Sequence, residues 1–431
     1  MNALTRTEKN RIYDVIVIFV TLVSLGFPGS YAGFIGEGAE TAAEYAAFVL
    51  QAAVMLLSSG ESFQELRLIR MRPRYRSVYL LTAVFFLESM LVTRYPGAQL
   101  ITCLRFSVTV FFALWLVERY ELGELLELVC YAQFLFLAAS ILMIAVSPQT
   151  AFDRGSGAFI GILPTKNTAA GEFSCGILMQ MVLYRIRRDE GRPVGIPFLT
   201  LLALQIVLLI SCRAAGAVLF AVVPVWYILL IEKRRGVSGR LRPGLLYILV
   251  SVGFLVFALT LLPVFGPAFA LIGKDATLTG RTVLWRRIIS MMLQTHTWTG
   301  YGYEMFWRDA RAVALYHSGF KRDSWGSMMT TGAHNVLLEF WLNTGLFGIA
   351  AYFVMLLDAT KRIRELPEPQ YLFCSAFLLH TMMHGLTERA FGTYNYFTLF
   401  FFMAMGAACQ KPASRGRIRR IWDETTYSRH S

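Results

Sequence analysis

Charged residues are scarce in this chain. Of its 431 residues, 16% are charged and 56% are hydrophobic, whereas a soluble domain carries about 25% charged residues. Repeated apolar runs of roughly 17–22 residues are long enough to cross a hydrocarbon core ~30 Å thick. The composition therefore excludes an ordinary soluble domain and predicts an all-α polytopic membrane protein.

Motifs for cofactors are also missing. The six cysteines lie within or at the edges of apolar runs, and no CxxC pair is present, which excludes a disulfide framework or a cysteine metal site. The chain has no Walker A sequence, no dinucleotide-binding glycine pattern and no HExxH. We therefore expect no nucleotide, metal or other cofactor, and any chemistry must use a substrate that arrives already activated.

Twelve apolar runs are candidate membrane spans. They lie at 12–28, 42–59, 77–93, 98–117, 124–147, 167–184, 195–212, 214–231, 245–265, 334–357, 369–386 and 391–409. The second, sixth and eleventh are short or carry polar residues, and Arg105 lies inside the fourth, where an intramembrane acid such as Glu88 could pair with it. The pattern predicts about twelve transmembrane helices.

Basic residues alternate between the loops and so predict the orientation. Most of the Lys and Arg residues fall in the N-terminal tail, in every second loop and in the C-terminal tail, as cytoplasmic loops require. The net charge of +13 is thus explained without nucleic acid. The predicted organisation is nine spans in 1–265, a large periplasmic loop at 266–333, three spans in 334–409 and a basic cytoplasmic tail at 410–431, with both termini cytoplasmic.

Several predicted spans begin at the outer face with a polar or cationic group. The sixth span begins around Lys166 and Asn167, the eighth around Arg213, and the tenth around His334 and Asn335. Thr279-Gly280-Arg281 begins a helix inside the loop, and Glu388 and Arg389 precede the twelfth span. Free backbone N–H groups together with a cation form an anion site that suits phosphate. If these ends converge, they form a basic pocket at the outer surface.

Each of the main candidate functional residues could instead have a purely structural role. Arg213 lies between two apolar runs, where a charge normally has a partner or a task, but it could also reach the headgroups or pair with a structural carboxylate. His334 could take a proton from a hydroxyl near neutral pH, or it could be a hydrogen-bonded interfacial histidine. The loop aromatics that include Tyr303 and Trp307 suit a sugar surface or membrane anchoring.

These residues stand in sequence motifs that resemble a known family. The motifs are LPTKN at 163–167, SCRAAGA at 211–217, TGRTVLW at 279–285, TGYGYEMFW at 299–307, HNVLLEFWLNTGLFG at 334–348 and HGLTERAF at 384–391. Their order resembles the O-antigen ligase and Wzy-type polysaccharide polymerase superfamily over about the last two-thirds of the chain. The GYGY…FW and HN…LNTGLFG pieces look most like exopolysaccharide polymerases of the ExoQ type. One departure is Cys212, where the family often has serine.

The resemblance implies a metal-independent membrane glycosyltransferase of GT-C-like architecture in the bacterial inner membrane. Its donor would be an undecaprenyl-diphosphate-linked oligosaccharide. Arg213 and Arg281 would bind the diphosphate, and His334 would orient or deprotonate the acceptor hydroxyl. The predicted substrate-binding residues, some of them only from the loop's composition, are Lys166, Asn167, Tyr303, Trp307, Asn335 and Arg389, with Glu388 as a helper.

The sequence predicts polymerisation of lipid-linked repeat units into exopolysaccharide or O-antigen at the periplasmic face. A ligase that moves the glycan onto lipid A core or another acceptor would share the donor site. A transporter or flippase for lipid-linked oligosaccharide is the alternative of another class, and a non-catalytic assembly partner is a further one. Expected partners are the lipid-linked oligosaccharide, membrane lipids, and candidate chain-length regulators and export proteins, without nucleic acid.

Overall fold

The structure is a computed structural model. It describes residues 6–26, 37–59, 72–233, 242–267, 277–278, 280–318, 332–389, 391 and 395–410. Thr279, parts of the predicted loop and all of the basic tail except residue 410 lie outside the described residues. All nine predicted site residues lie within them.

The described residues fold into helices, with one isolated antiparallel bridge between Phe152 and Phe159 and no strand. The helices of eight or more residues are α1 Arg6–Ser24, α2 Glu37–Ser59, α3 Arg76–Val92, α4 Pro96–Arg119, α5 Leu122–Val146, α6 Lys166–Asp189, α7 Ile196–Ser211, α8 Ala215–Lys233, α9 Pro243–Thr260, α10 Arg281–Gln294, α11 Ala310–His317, α12 Val336–Ile363, α13 Glu368–Gly385 and α14 Tyr396–Ala408.

The all-α polytopic prediction is confirmed. Each of the twelve predicted spans overlaps one helix, and α10 and α11 lie in the predicted loop. Among the described residues, six stretches are long and apolar enough to cross a membrane: Thr41–Ser58, Pro73–Val92, Pro96–Arg119, Leu122–Val146, Pro243–Thr260 and Val336–Ile363. Twelve crossings, and the domain boundaries built on them, stay predictions.

The centre of the bundle is built from helices that other helices surround. Every residue of α14 is buried, and α6 buries polar side chains such as Glu172 among its apolar ones. Helix α6 packs against α5, α7, α8 and α13, and α14 packs against α4 and α13. A helix enclosed by protein can carry polar groups that lipid would not tolerate, so α6 can bury Glu172 and α13 can bury His380 and His384.

Arg105, the cation inside a predicted span, has a structural partner. Its guanidinium forms an ion pair with Glu44 of α2, and its charged carbon lies 5.2 Å from the centre of the Tyr45 ring. The acid is thus Glu44 rather than Glu88, which was the example suggested by the sequence. The structural interpretation of Arg105 is the one that the structure supports.

The predicted loop docks against a kink in α12. Gly345 has φ 61° and ψ −162°, a conformation open essentially to glycine alone. The loop backbone follows the kink through hydrogen bonds from Tyr301 N to Leu342 O (2.8 Å) and from Leu346 N to Thr297 O (3.1 Å). The kink therefore holds the loop and the membrane bundle together.

We expect Gly345→Ala to destabilise the protein by at least about 3 kcal/mol, because it combines backbone strain with a steric clash. A Cβ at this position would collide with the carbonyl group of Trp298. Gly253→Ala on α9 is the matched control, since no atom lies within 4 Å of a Cβ built there. Thermal unfolding of the two purified variants compares them, and equal melting temperatures would refute the role of the kink.

Candidate active site

Glu388 is the centre of a polar cluster at one end of the bundle. Its Oε1 accepts hydrogen bonds from Arg281 Nη2 at 2.6 Å and Asn167 Nδ2 at 3.0 Å, while its Oε2 lies 3.1 Å from His334 Nδ1. The four side chains come from the starts of α6 and α10, from the residue before the α12 cap and from the segment after α13. The structure therefore brings together three of the predicted site residues around one carboxylate.

The position of His334 follows from the way α12 begins. Asn335 caps the helix: its Oδ1 accepts from Leu337 N at 3.1 Å and Leu338 N at 3.2 Å, and its Nδ2 donates to Leu386 O at 3.1 Å. Both ends of the amide are thus used within the protein. Asparagine is a favoured cap because its side chain satisfies free helix N–H groups. Substrate binding by Asn335 stays a prediction, and its structural task is to fix the backbone beside His334.

The position of Arg281 is fixed by a sharp turn. Gly280 has φ 82° and precedes the first residue of α10, and its N–H donates to Thr277 Oγ1 at 2.7 Å. One turn into the helix, Trp285 Nε1 donates to Ala333 O at 2.9 Å. This bond joins α10 to the residue directly before His334, so the cation and the imidazole share one framework.

Backbone strain concentrates around the same cluster. Four non-glycine residues in the described part of the chain have positive φ: Arg213 at 52°, Leu278 at 53°, Glu304 at 59° and His334 at 49°. Each such conformation costs on the order of 1–3 kcal/mol and persists only where the surroundings enforce it. Two of the four are predicted catalytic residues, and the other two adjoin Arg281 or contact Arg389. Strain of this kind is typical of functional sites, and it supports this end of the bundle as the candidate site.

Glu388 is held as a carboxylate. Burial acts to raise its pKa, but the hydrogen bond with His334 and the charge of Arg281 outweigh burial and hold the pKa below its ordinary value of 4.5. A depressed pKa means that the cluster stabilises the fold at neutral pH and loses that contribution as the pH falls through the depressed value. At neutral pH the carboxylate is therefore ionised and can only accept hydrogen bonds.

The charge of Glu388 assigns the tautomer of His334. Because a carboxylate can only accept, the neutral imidazole must carry its proton on Nδ1, the atom 3.1 Å from Glu388 Oε2. The lone pair is then on Nε2, and the side chain is 35% exposed. A carboxylate that holds Nδ1–H leaves Nε2 free to act as a base.

A second ionic group surrounds Arg389. Its Nη2 lies 2.5 Å from Glu304 Oε1, and its Nε donates to Phe391 O at 3.2 Å and lies 3.9 Å from Glu339 Oε1. Glu339 Oε2 in turn accepts from Ala333 N at 2.7 Å. Burial acts to lower the pKa of Arg389, but the two carboxylates outweigh it and the pKa is raised. Arg389, which follows α13 and is next to Glu388, therefore links the loop residue Glu304 to Glu339 in the first turn of α12.

Arg213, between α7 and α8, and Lys166, the first residue of α6, both interact with the loop that holds Asp153 and Ser156. Arg213 Nη1 donates to Ser156 O at 2.9 Å, in a turn whose Asp153 accepts from the N–H and hydroxyl of Ser156. The hydrogen bonds from Ser156, helped by the charge of Lys166, lower the pKa of Asp153. Arg213 is exposed and makes no contact with Glu388 in the structure. Its binding role stays a prediction, as does that of Lys166.

The two loop aromatics differ in their surroundings. Tyr303 is 1% exposed and packs against Phe85 and Phe106 at centroid distances of 5.4 and 4.8 Å. Trp307 is partly exposed and packs edge-to-face on Phe306 at 4.7 Å. The structure thus places Tyr303 in the core, and sugar contacts by either ring stay predictions.

Substituting Asn335 tests whether the cap positions His334. We expect Asn335→Ala to lower the free energy of unfolding by about 1–2 kcal/mol, because the cap and the bond to Leu386 are both lost. Asn335→Asp keeps the capping oxygen and should recover the cap but not the bond to Leu386. Chemical denaturation of the purified variants measures both, and an unchanged midpoint for Asn335→Ala would contradict the assignment.

The central place of Glu388 is not evident from the sequence alone. The sequence predicts only a helper role for Glu388, although its carboxylate accepts hydrogen bonds from three side chains, and it predicts no role for Glu304. The available signal was an acid set among cations at a predicted helix end, since a buried acid in such a place normally has partners. Among the described residues, no group of three His, Cys, Asp or Glu side chains is placed to hold a metal ion.

A comparison with known families supports the resemblance over part of the chain. The family model described as O-antigen ligase matches residues 175–353, a range that includes Arg213, Arg281 and His334 but not Glu388. No curated protein matches the chain. The matched range includes the predicted loop, the four strained residues and two of the three groups that contact Glu388. This match covers less than half of the chain, and it supports the resemblance to the O-antigen ligase and Wzy-type superfamily of polysaccharide assembly.

Proposed function

We propose that the chain is a polymerase of lipid-linked oligosaccharide repeat units. The growing glycan moves from its undecaprenyl diphosphate onto a hydroxyl of the next lipid-linked unit at the outer face of the bacterial inner membrane. The observation that carries the proposal is the Glu388–His334 pair beside Arg281, at distances of 3.1 and 2.6 Å. A base with a free Nε2 next to a cation is what transfer from a diphosphate to a hydroxyl needs.

The bond changes fit these groups. The acceptor oxygen attacks the anomeric carbon, its proton passes to His334 Nε2, and the C–O bond to phosphate breaks with its electron pair leaving on the diphosphate. Glu388 stabilises the imidazolium through Nδ1–H. Arg281, with Arg213 approaching from the neighbouring loop, neutralises the departing charge, and each charge-assisted bond contributes about 1.5–3 kcal/mol. The imidazolium then gives its proton to water or to the released diphosphate.

Arg281 and Arg389 both have acidic partners within the protein. Glu388 occupies one side of Arg281, and Glu304 and Glu339 flank Arg389. A diphosphate offers each guanidinium a second acceptor, and the planar guanidinium can bind two acceptors at once. Donor binding therefore adds to the ionic network without requiring Glu388 to release His334.

A ligase is the second candidate, because the matching family model is described as O-antigen ligase. It would use the same donor site and the same base, and would differ in the acceptor that enters. A transporter is less well supported, since the strained and ionic residues collect at one end of the bundle. Sizing glycans in a strain deleted for the gene and complemented with Arg213→Ala, Arg281→Ala or His334→Ala separates these functions. Single lipid-linked units accumulate if the chain is a polymerase and long lipid-linked chains if it is a ligase, and normal glycan in all three variants would overturn both.

A further inference from the structure

Three polar side chains are buried in the helices that adjoin the Glu388 cluster. They are Glu172 of α6, His384 of α13 and Tyr396 of α14, with exposed fractions of 2%, 6% and 3%. None of them belongs to the predicted site. Polar groups at such depth in a helical bundle are costly and normally serve a purpose.

A glycine allows these groups to approach. A Cβ built on Gly171 would lie 2.5 Å from Tyr396 Oη and 3.2 Å from His384 Nε2, so both polar atoms rest against the α6 backbone next to Glu172. His384 is one helical turn before Glu388, and its carbonyl accepts from Glu388 N at 2.9 Å. The buried group and the candidate active site are therefore parts of one continuous region.

The buried group has unused hydrogen-bonding atoms. Among the described residues, no partner is found for Glu172 Oε2, Tyr396 Oη or His384 Nδ1. Buried polar atoms in native proteins are nearly always bonded, and where protein partners are missing an ordered water supplies the bond. Tyr396 and His384 meet at Gly171, and Glu172 is the next residue of α6, so we expect ordered water to bridge these residues there.

The hydrogen bonds of this buried group can all be donated in one direction, from Glu172 toward Glu388. A carboxyl group enclosed without a cation is costly as an anion, and as the neutral acid Glu172 donates its O–H. Tyr396 can accept that bond and donate its own O–H onward. Tyr396 Oη rests against Gly171, one turn of α6 after Asn167, which donates to Glu388 Oε1 at 3.0 Å. Both Glu172 and Glu388 also act electrostatically on this hydroxyl. Glu388 accepts three hydrogen bonds from protein side chains. Because a carboxylate has about four acceptor positions, one position remains for the end of the hydrogen-bond chain.

We propose that Glu172 and Tyr396, joined by buried water, form a hydrogen-bond chain that ends on Glu388 and positions its carboxylate toward His334. This inference rests on the proposed function, because it assigns positioning residues to the same Glu388–His334 pair. The titratable and charged groups around the chain are Glu172 and Cys175 from α6, His384 and Glu388 from the end of α13, Arg281 from α10 and His334 before α12.

Removing the hydrogen-bond chain formed by Glu172 and Tyr396 should change the pH dependence of glycan transfer. A carboxylate that loses one donor attracts the proton on His334 more strongly, so the histidine stays protonated to higher pH and cannot act as a base. The acid limb of the activity profile should therefore move upward by about one pH unit in Tyr396→Phe and Glu172→Leu, as expected for one charge-assisted bond. At the optimum we expect kcat to fall while KM for the donor stays near its original value, because Arg281 is untouched.

The experiment compares four full-length variants in lipid vesicles, with lipid-linked repeat units extracted from the deletion strain as the probe. Glu172→Gln keeps an N–H donor and should restore the original profile. Tyr371→Phe is the control, since it removes a buried hydroxyl at the other end of α13, where Tyr371 Oη lies 2.7 Å from Tyr227 Oη, and should leave the profile unchanged.

Each outcome decides the proposal. A shift in Tyr396→Phe and Glu172→Leu, with none in Glu172→Gln and Tyr371→Phe, supports it. An unshifted acid limb in folded Tyr396→Phe overturns it, and if that variant does not fold, equal profiles for Glu172→Leu and Glu172→Gln do so. Transfer that survives His334→Ala in the same assay would instead overturn the proposed function, so the two failures are distinguishable.

Discussion

Replacing His334 by alanine should reduce glycan transfer by about 100- to 10,000-fold, the range that a positioned general base supplies. Its Nδ1 lies 3.1 Å from Glu388 Oε2, and the alanine variant loses both the base and the group that Glu388 stabilises. The measurement is the rate at which the purified protein converts lipid-linked units to longer chains, at donor concentrations that saturate the site.

His317→Ala is the matched control for this variant. His317 ends α11 and packs against the Tyr316 ring at 5.1 Å, and it takes no part in the Glu388 cluster. We expect its variant to transfer at a rate close to that of the original protein. Loss of activity in His317→Ala of the same size as in His334→Ala would show a general effect of disturbing the loop and would remove the role of His334 as base.

The second large effect is expected from Arg281. Arg281→Ala should lower kcat/KM by about 100- to 1,000-fold, because a donor aimed at developing negative charge contributes on that scale. Arg281→Lys should recover only part of the loss, since an ammonium keeps the charge but cannot bind a carboxylate and a phosphate in one planar fork. Steady-state kinetics with the extracted lipid-linked units measure both variants.

Arg286→Ala gives the comparison on the same helix. Arg286 is exposed and donates to Leu259 O at 3.0 Å, away from Glu388. Removing it takes one positive charge from α10 but leaves the proposed diphosphate site unchanged, so kcat/KM should stay within about threefold, the change expected from a surface ion. Equal losses in Arg281→Ala and Arg286→Ala would mean that general charge attraction, not a specific contact, binds the donor.

The membrane helices could be predicted from the sequence because apolar length alone decides them. Each predicted span overlaps a helix of the structure. The central helices were harder to judge, since α6 buries Glu172 and carries a cationic start. Hydropathy identifies a membrane helix reliably when lipid surrounds the helix. Other helices surround α6, so its sequence can be more polar.

The candidate site was predictable in position but not in connectivity. Charges at helix starts indicated the end of the bundle where His334, Arg281 and Asn167 meet. The convergence on Glu388 depends on how α10 and α12 pack, which Trp285 fixes through its bond to Ala333 at 2.9 Å. No local pattern in the sequence describes that packing.

Residue type alone does not distinguish a polar side chain that binds substrate from one that stabilises the fold. Asn335 uses its whole amide to cap α12 and bind Leu386, and Tyr303 packs in the core. Sequence alone assigns both to substrate binding because each is adjacent to reactive or glycine-rich positions. Only the three-dimensional contacts separate a residue that touches substrate from one that places its neighbour.

The most direct test of the polymerase proposal uses the purified chain in lipid vesicles, with extracted lipid-linked repeat units as the only glycan present. The account predicts a ladder of longer lipid-linked chains in this mixture, with release of one undecaprenyl diphosphate for each unit added. If no ladder forms, and transfer begins only when lipid A core is supplied, the polymerase assignment is wrong and the chain is a ligase.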